Sequence, residues 1–597
     1  MSSAASSAAN VSWDLTDLYA GIDDPRLDAD LQAAQQRAQA FEAQYRGKVG
    51  ESADSLLAAV AEMESIYEQM DRAAVYASLV HAAQTEDPRH GALLAKTRER
   101  RTAINKHLIF FDLEWVALED AKAAALLADA RLARYRHYLS QKRVWKPHYL
   151  SEPEEKILEE KTITGKAAFM RLFDEITASM RFQVEGEAQP LSLQQVLAGL
   201  YQADRTVRRR SAEALTAGLQ ANIKLLTYIF NTLVQDHRSD CTLRKHVDVM
   251  MPRHLANEIE PAVVEALMNS TEQHVELVHR YYRLKARLLQ VDQLEDYDRY
   301  APISAEMPTV DWPTAQRIVQ ESYEAFSPEA GKIVREFFSR RWIDAELRLG
   351  KRGGAFSSSA VPSVHPYILM SYTDKLRDVM TLAHELGHGL HQYLSRGVGY
   401  LQCDTPLTTA ETASVFGEML TFKRLKELYP EPKTRLAMLC SKIEDAFATV
   451  FRQVTLTRFE QRLHQARHEE GELSPERINQ LWMQANQPMH GEVVRLTPGY
   501  AYWWSYIGHF VHVPFYCYAY AFGELLVLAL FKKYEQEGEA FVPRYLEMLA
   551  AGGSRSPQEL VGTLGVDVSD PAFWGLGLKL LGEMVSEAEQ LAGVARV

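Results

Sequence analysis

The sequence predicts a mainly α protein made of many helices, with one small β-sheet. Three observations carry this. Long stretches rich in Ala, Leu, Glu, Gln, Lys and Arg place apolar residues at three- and four-residue spacing, the period of a helix with one buried face. Stretches with the composition or period of a strand are few. The 597 residues are 47% apolar and 24% charged, ordinary for a soluble globular chain and too many for a single hydrophobic core, so two or more lobes are expected.

In chain order, residues 1–12 read as a frayed, disordered tail. Met1 to Asn10 is rich in Ser and Ala and lacks the basic and apolar regions of a secretory signal and the arginines of a transit peptide. Helical patterning covers 29–47, 52–82, 88–111, 114–138, 153–181 and 191–200, which together predict an N-terminal helical lobe over 13–200. It resumes at 204–236, 260–290, 312–339 and 439–470 within the larger remainder, 201–597. The breaks fall on turn residues, as at Glu86-Asp-Pro88 and Gly186-Glu-Ala-Gln-Pro190. No fixed-period repeat is present. Phe182-Gln-Val184 reads as part of a small hairpin. Val364 to Tyr372 is aromatic and apolar, and Pro366 within it points to an edge strand, although a loop crossing the core explains it equally well. As an edge strand it would let an extended peptide add a strand of its own, with Tyr372 among the substrate contacts.

Charge and cysteine usage exclude several classes. Sixty-six Lys and Arg stand against 79 Asp and Glu, a formal charge of −13, which argues against a nucleic-acid partner. The basic tract Arg205-Thr-Val-Arg-Arg-Arg210 reads as a solvated helix face. Cys241, Cys403, Cys440 and Cys517 form no CxxC pair, which fits a reducing, cytoplasmic setting and no cysteine-built metal site. The most apolar stretch, Phe510 to Leu530, is interrupted by His512, Pro514, Gly523 and Glu524. It reads as a buried helix lining a cavity, not a membrane span.

Residues 384–388 read His-Glu-Leu-Gly-His, inside a helical segment from about Asp374 to Ser395 that Thr373 or Asp374 can cap. His384 and His388 lie one turn apart on one face, so both imidazoles can meet a single ion. Glu385 is rotated by roughly 100° and can reach a water on that ion instead. Chance gives such a motif in roughly one chain of this size in twenty, so a third ligand has to be found. His391 is about 10 Å along the helix from His384, beyond the reach of metal bonds. The longer pattern HExxHxxGxxH fails because Leu394 occupies its last position. Glu411 is the best candidate, with Glu418 two turns on as hydrogen-bond partner of a ligand imidazole. Thr408-x-x-Glu411 also reads as a capping box, in which Glu411 only satisfies backbone donors.

These stretches together resemble oligoendopeptidase F, within the thimet oligopeptidase-like zinc metallopeptidases. Further matching segments are Trp13-Asp-Leu-Thr-Asp-Leu-Tyr19, Tyr297-Asp-Arg-Tyr-Ala-Pro302, Lys351-Arg-Gly-Gly-Ala-Phe356, Phe451-Arg-Gln453, Arg458-Phe-Glu460, and His509-Phe510 followed by Phe515 to Gly523. The resemblance implies a two-lobed helical body enclosing a deep substrate channel, with residues 201–597 as the catalytic part. It implies one Zn2+ ion and a preference for short unfolded peptides. His509, Tyr516 and Tyr518 are carried over as catalytic groups facing the substrate, with His512 and Tyr520 as substrate contacts. Tyrosines at two-residue spacing cannot all share one helix face, so one or two of them only pack. The linker before Thr408, around Cys403-Asp404, looks slightly shorter than usual, which bears on which Glu points at the metal.

The expected chemistry is peptide hydrolysis by an activated water, with Glu385 as general base. An exopeptidase with the same chemistry and a catalytically silent peptide-binding scaffold are the competing readings. The four key side chains are present, which counts against the scaffold. A monomer and a homodimer are both compatible with the sequence.

Overall fold

The structure, a computed structural model, describes residues 6–303 and 307–594. Helices dominate it. Five short strands are present among the described residues: β1 (Leu294–Glu295), β2 (Ile343–Asp344), β3 (Phe356–Ser358), β4 (Tyr367–Leu369) and β5 (Val494–Arg495). The chain separates into two compact units. The first comprises residues 1–146, 308–429 and 533–567, and the second residues 147–307, 430–532 and 568–597. Neither unit is a single run of chain, so a boundary at residue 200 does not describe this division.

In the first unit, helices Pro25–Tyr45, Ala53–Ala83 and Pro88–Asn105 bury one face each. Leu27, Leu31, Ala34, Ala38, Phe41 and Tyr45 recur at alternating four- and three-residue steps, and Phe41 shares a core with Met63, Ile66, Ile104 and Trp115. Each helix starts on a capping side chain: Asp24, Ser52 and Asp87 accept backbone N–H groups of the first turn. Such a cap is worth about 1 kcal/mol. The run expected at 312–339 is two helices, Trp312–Phe326 and Pro328–Ser339. Pro328 disfavours the helical conformation at Ser327, which is extended and caps the second helix.

Three expectations are corrected here. Residues 6–12 are not a loose tail. The Ser6 hydroxyl donates to the Tyr372 carbonyl at 2.7 Å, and the Val11 carbonyl accepts from the N–H groups of Ala345 and Glu346. Residues 1–5 lie outside the described residues. The segment expected as an edge strand is also not one. The sheet order is β2-β4-β3, with β4 parallel to β2 and antiparallel to β3, so β4 is central and both its edges are taken. Pro366 precedes the paired residues Tyr367–Leu369, so its missing N–H costs the ladder nothing. The outer strand on the antiparallel side is β3, from the Gly/Ser-rich run. A further two-stranded parallel pair, β1–β5, belongs to the second unit, so the described residues hold two small sheets where one was expected.

The second unit is organised around the 39-residue helix Arg205–Leu243, whose Leu226 and Phe230 share a core with Phe459, Trp482 and Trp504. The basic tract is not a solvated face throughout. Arg208 is 2% exposed and donates to Asp298 at 2.9 Å, and Arg205 donates to the same carboxylate at 2.7 Å. Phe182 and Leu191 form a single antiparallel bridge where a hairpin was expected. The apolar stretch forms helix Tyr518–Glu537, which is buried through most of its length. Among the described residues no helix is long and apolar enough to cross a membrane.

Candidate metal centre

The motif helix spans Leu376–Ser395 and buries Val379, Leu382, Ala383, Leu386 and Leu390 against the first unit's core. Its start is held differently from the expected cap. Asp378, inside the first turn, reaches back to accept the N–H groups of Thr373 at 2.6 Å and Lys375 at 3.3 Å. The helix packs on a partner helix, Thr412–Leu428, at unusually close range. Gly387 makes that approach possible, because a Cβ there would collide with the Ala413 carbonyl and stand 2.5 Å from Ser414 Cα. Gly417 does the same from the other side, where Tyr323 sits over it and donates its hydroxyl to the Ala383 carbonyl at 2.8 Å.

This close packing brings three electron-rich atoms together. His384 Nε2 and His388 Nε2 are 3.2 Å apart, and Glu411 Oε2 lies 3.3 Å from each. A tetrahedral ion with bonds of about 2.0–2.1 Å spaces its ligands about 3.3 Å apart, so the triangle fits one divalent cation with a fourth position left for water or substrate. Two imidazole lone pairs and a carboxylate oxygen at this range repel unless a cation or proton lies between them. Among the described residues this is the one His/Cys/Asp/Glu group with such spacing.

Supporting contacts orient two of the three candidate ligands. Glu418 Oε1 accepts from His384 Nδ1 at 2.6 Å, which leaves Nε2 as the lone-pair nitrogen. Glu411 occupies the N-cap position of the partner helix, where the helix dipole favours an anion. Its carboxylate accepts the Ser414 hydroxyl at 2.7 Å and faces the imidazoles, so its side chain does not act as the capping box that Thr408 suggested. Burial alone would raise the Glu411 carboxyl, but His388, His384 and Ser414 together hold it down at about 2. Burial likewise presses on the His384 imidazole, and the bond to Glu418 with the charges of Glu411 and Glu385 overcomes it, lifting its pKa to about 9.

A cavity of about 580 Å³ opens on this triangle, lined also by Glu385, by Ala355, Phe356 and Ser357 at β3, and by Asp404. Glu385 is 6% exposed, and burial raises its carboxyl against the pull of the two imidazoles, in the direction that suits a proton carrier. β3 is tied to the motif helix: the Ser357 hydroxyl donates to Gln392 Oε1 at 2.7 Å and Gln392 Nε2 donates to the Ser357 carbonyl at 3.3 Å. His391 stands apart from the triangle. Burial brings its pKa down to about 4, so it is neutral.

The aromatic residues expected to face substrate separate. Tyr516 stacks on His509, Tyr520 meets both edge-on, and the Tyr520 hydroxyl is 3.4 Å from His509 Nε2. This cluster keeps an accessible surface, His509 most of all. Tyr518 points the other way. It is fully buried, and its hydroxyl is bonded to Asn257 Nδ2 and His254 Nδ1, each at 3.0 Å, so the expectation of a catalytic role is corrected to packing. Tyr372 is also corrected. It is buried against Trp312 and donates its hydroxyl to the Val310 carbonyl at 2.7 Å, out of reach of a substrate. The His512 imidazole is directed to Asp174, 2.9 Å away. Sequence reasoning missed Ser414, Tyr323, Gln392 and the glycines. The spacing of Gly387 and Gly417 within the two helices was the available signal, and it has meaning only once the helices are known to touch.

Comparison with known proteins agrees with this geometry. Residues 198–579 match the model of peptidase family M3, and residues 114–182 match that of an N-terminal region described as oligopeptidase F. An oligoendopeptidase F homolog of Lactococcus lactis is 27% identical over 591 residues, covering 97% of each chain. Oligopeptidase PepF of Bacillus subtilis is 28% identical over 556 residues, covering 92% of this chain and 82% of that one. The crystal structure of oligoendopeptidase-F from Enterococcus faecium shares the fold with a TM-score of 0.69 at 24% identity, covering 96% of this chain and 98% of that one. A solved structure from Chlamydophila abortus shares it with a TM-score of 0.90 at 24% identity, covering 98% and 100%.

Proposed function

The chain belongs to peptidase family M3 and is a metalloendopeptidase acting on oligopeptides, and from that premise we propose that its metal is zinc, its general base is Glu385 and its substrates are short and unfolded. The observation that carries this is the triangle of His384 Nε2, His388 Nε2 and Glu411 Oε2 with edges of 3.2–3.3 Å. Two imidazoles and one carboxylate with an open fourth position are a donor set suited to catalytic zinc.

Held by His384, His388 and Glu411, a zinc ion would acidify a water and polarise the scissile carbonyl. Glu385 accepts the proton of the attacking water and passes it to the leaving amine. Glu418 fixes the His384 ring, and Ser414 fixes the Glu411 carboxylate. The accessible strand for an incoming peptide is β3, which lines the cavity. His509, Tyr516 and Tyr520 remain candidates for the donor to the developing oxyanion. What supports them is the family resemblance and their accessible, mutually braced rings.

The test is Glu385→Gln. Zinc content should match the unaltered protein, while cleavage of an internally quenched peptide falls about 10²-fold to 10⁴-fold. Turnover close to that of the unaltered enzyme would remove Glu385 from the mechanism. Loss of zinc with loss of turnover would make it a ligand or a structural residue.

A further inference from the structure

A second cluster lies wholly within the second unit and is not used by the chemistry above. Arg299 lies in the short helical turn Asp296–Tyr300, and Arg452 lies in the first turn of helix Phe451–Glu470. Both guanidiniums converge on one phenol: Arg452 Nη1 donates to the Tyr300 hydroxyl at 2.6 Å, and Arg299 Nη2 approaches it at 3.4 Å. The remaining bonds of Arg299 go to neutral acceptors, the Asp296 carbonyl at 2.8 Å and His490 Nε2 at 3.1 Å. Its guanidinium also lies 5.2 Å from the Tyr500 ring centroid. Among the described residues, neither arginine pairs with a carboxylate.

This is unusual for the protein. Arg208, equally buried in the same unit, has Asp298, and buried Lys285 has Glu444 at 2.6 Å. The Asp296 carboxylate acts on Arg299 only across space, and a buried guanidinium without a bonded counter-charge costs several kcal/mol in general, so the buried Arg299 and the half-buried Arg452 around one phenol leave a local demand for an anion. Arg299 is 6% exposed, whereas Arg452, Tyr300 and Tyr506 each retain partial access to solvent, so the Arg452 side of the cluster is the side that meets solvent.

We propose that Arg452, Arg299 and the Tyr300 hydroxyl form a binding site for a carboxylate, which supplies a bonded counter-charge that the two arginines lack among the described residues. Its planar pair of oxygens matches the guanidinium donors. Two sources share this chemistry, a free small carboxylate and the C-terminus of a peptide.

The phenol reports on the same demand. Burial pushes the Tyr300 hydroxyl up, but Arg452 and Arg299 override it and bring its pKa down to about 8, against a smaller opposing push from Asp296. The other titratable groups facing the cluster are Tyr282, Tyr500 and Tyr506, phenols that burial pushes upward and keeps neutral, His490 and His509, imidazoles that burial and the arginines push downward, and Cys517, a thiol that burial pushes upward. Below pH 8, then, no phenolate neutralises the arginines, and a bound carboxylate will make the Tyr300 proton harder to remove.

The experiment uses the metal-loaded full chain at constant ionic strength, with sodium acetate replacing sodium chloride. Binding is followed by calorimetry, and tyrosine ionisation by ultraviolet absorbance. The expected result is saturable acetate binding with an upward shift of the low-titrating tyrosine. Arg452→Gln should weaken binding about ten-fold or more, and Arg452→Lys should restore part of it. N-acetyl-dialanine is compared with its amide. Tighter binding of the acid than of acetate, with none by the amide, assigns the site to peptide termini; equal binding of acid and acetate assigns it to free carboxylates. Non-saturable acetate binding with an unmoved tyrosine titration in the unaltered protein would overturn the proposal, without touching the metal centre.

Discussion

Replacing Glu418 by Gln should change how metal affinity depends on pH more than it changes affinity at neutral pH. Glu418 Oε1 lies 2.6 Å from His384 Nδ1, and two opposite consequences follow from that contact. It makes the imidazole a better ligand, an effect whose loss typically weakens metal binding by about 10-fold to 100-fold, or about 1.4–2.7 kcal/mol. It also makes His384 a better base. Against burial, Glu418 and the neighbouring acids lift its pKa to about 9 in the metal-free protein. Zinc must displace that proton, so at pH 7 the apparent affinity is about 100-fold below its alkaline limit. The sign follows directly: a raised imidazole pKa means the site is protonated below about 9 and binds more tightly as pH rises towards it. In Glu418→Gln the lift is largely removed, so proton competition ends at a lower pH. At pH 9 to 9.5 the variant should bind zinc about 10-fold to 100-fold more weakly, and towards pH 6.5 the two curves should converge. Chelator-buffered zinc titrations across this range provide the measurement. Parallel curves with a common break, or equal affinity at alkaline pH, would refute the reasoning.

Gly387→Ala should lower thermal stability by about 1–3 kcal/mol and reduce bound zinc, because its Cβ would drive the partner helix and Glu411 away; melting curves and metal analysis report both. Tyr518→Phe should cost about 1–2 kcal/mol of stability by removing the hydroxyl that meets Asn257 Nδ2 and His254 Nδ1, yet leave kcat within a few-fold, as chemical denaturation and peptide cleavage will show. A non-cleaved peptide bound to Glu385→Gln should slow hydrogen exchange at Ala355–Ser358 and leave Tyr367–Leu369, already paired on both sides, unchanged. Exchange protection appearing at β4 instead would contradict the corrected sheet order.

The metal centre was largely legible in the sequence because its logic is local. The four-residue step from His384 to His388 and the seven-residue step from Glu411 to Glu418 are helix periods, and each pair needs only its own helix to share a face. The contact between the two helices is not local, and Gly387 looks like any helix-weakening glycine until Ala413 lies against it. The same limit explains the strand. Tyr367–Leu369 has strand composition, but its central place depends on Ile343–Asp344 and Phe356–Ser358, which are too short to register as strands alone. Tyr516 and Tyr520 separate from Tyr518 as two-residue spacing demands; which side faces inward was decided by Asn257 and His254, far away in sequence. The basic tract misled because Arg208 is matched by Asp298, 90 residues on.

The threefold segmentation of the first unit sets the order of events during synthesis. The Tyr545 hydroxyl holds the Thr412 carbonyl at the head of the partner helix, and Val11 holds the strand region from the opposite end of the chain. A ribosome must therefore release residues beyond 545 before the first unit can close around its histidines. A nascent chain is itself an unfolded polypeptide, and the unit that carries the candidate metal centre stays incomplete until its third segment, residues 533–567, has emerged.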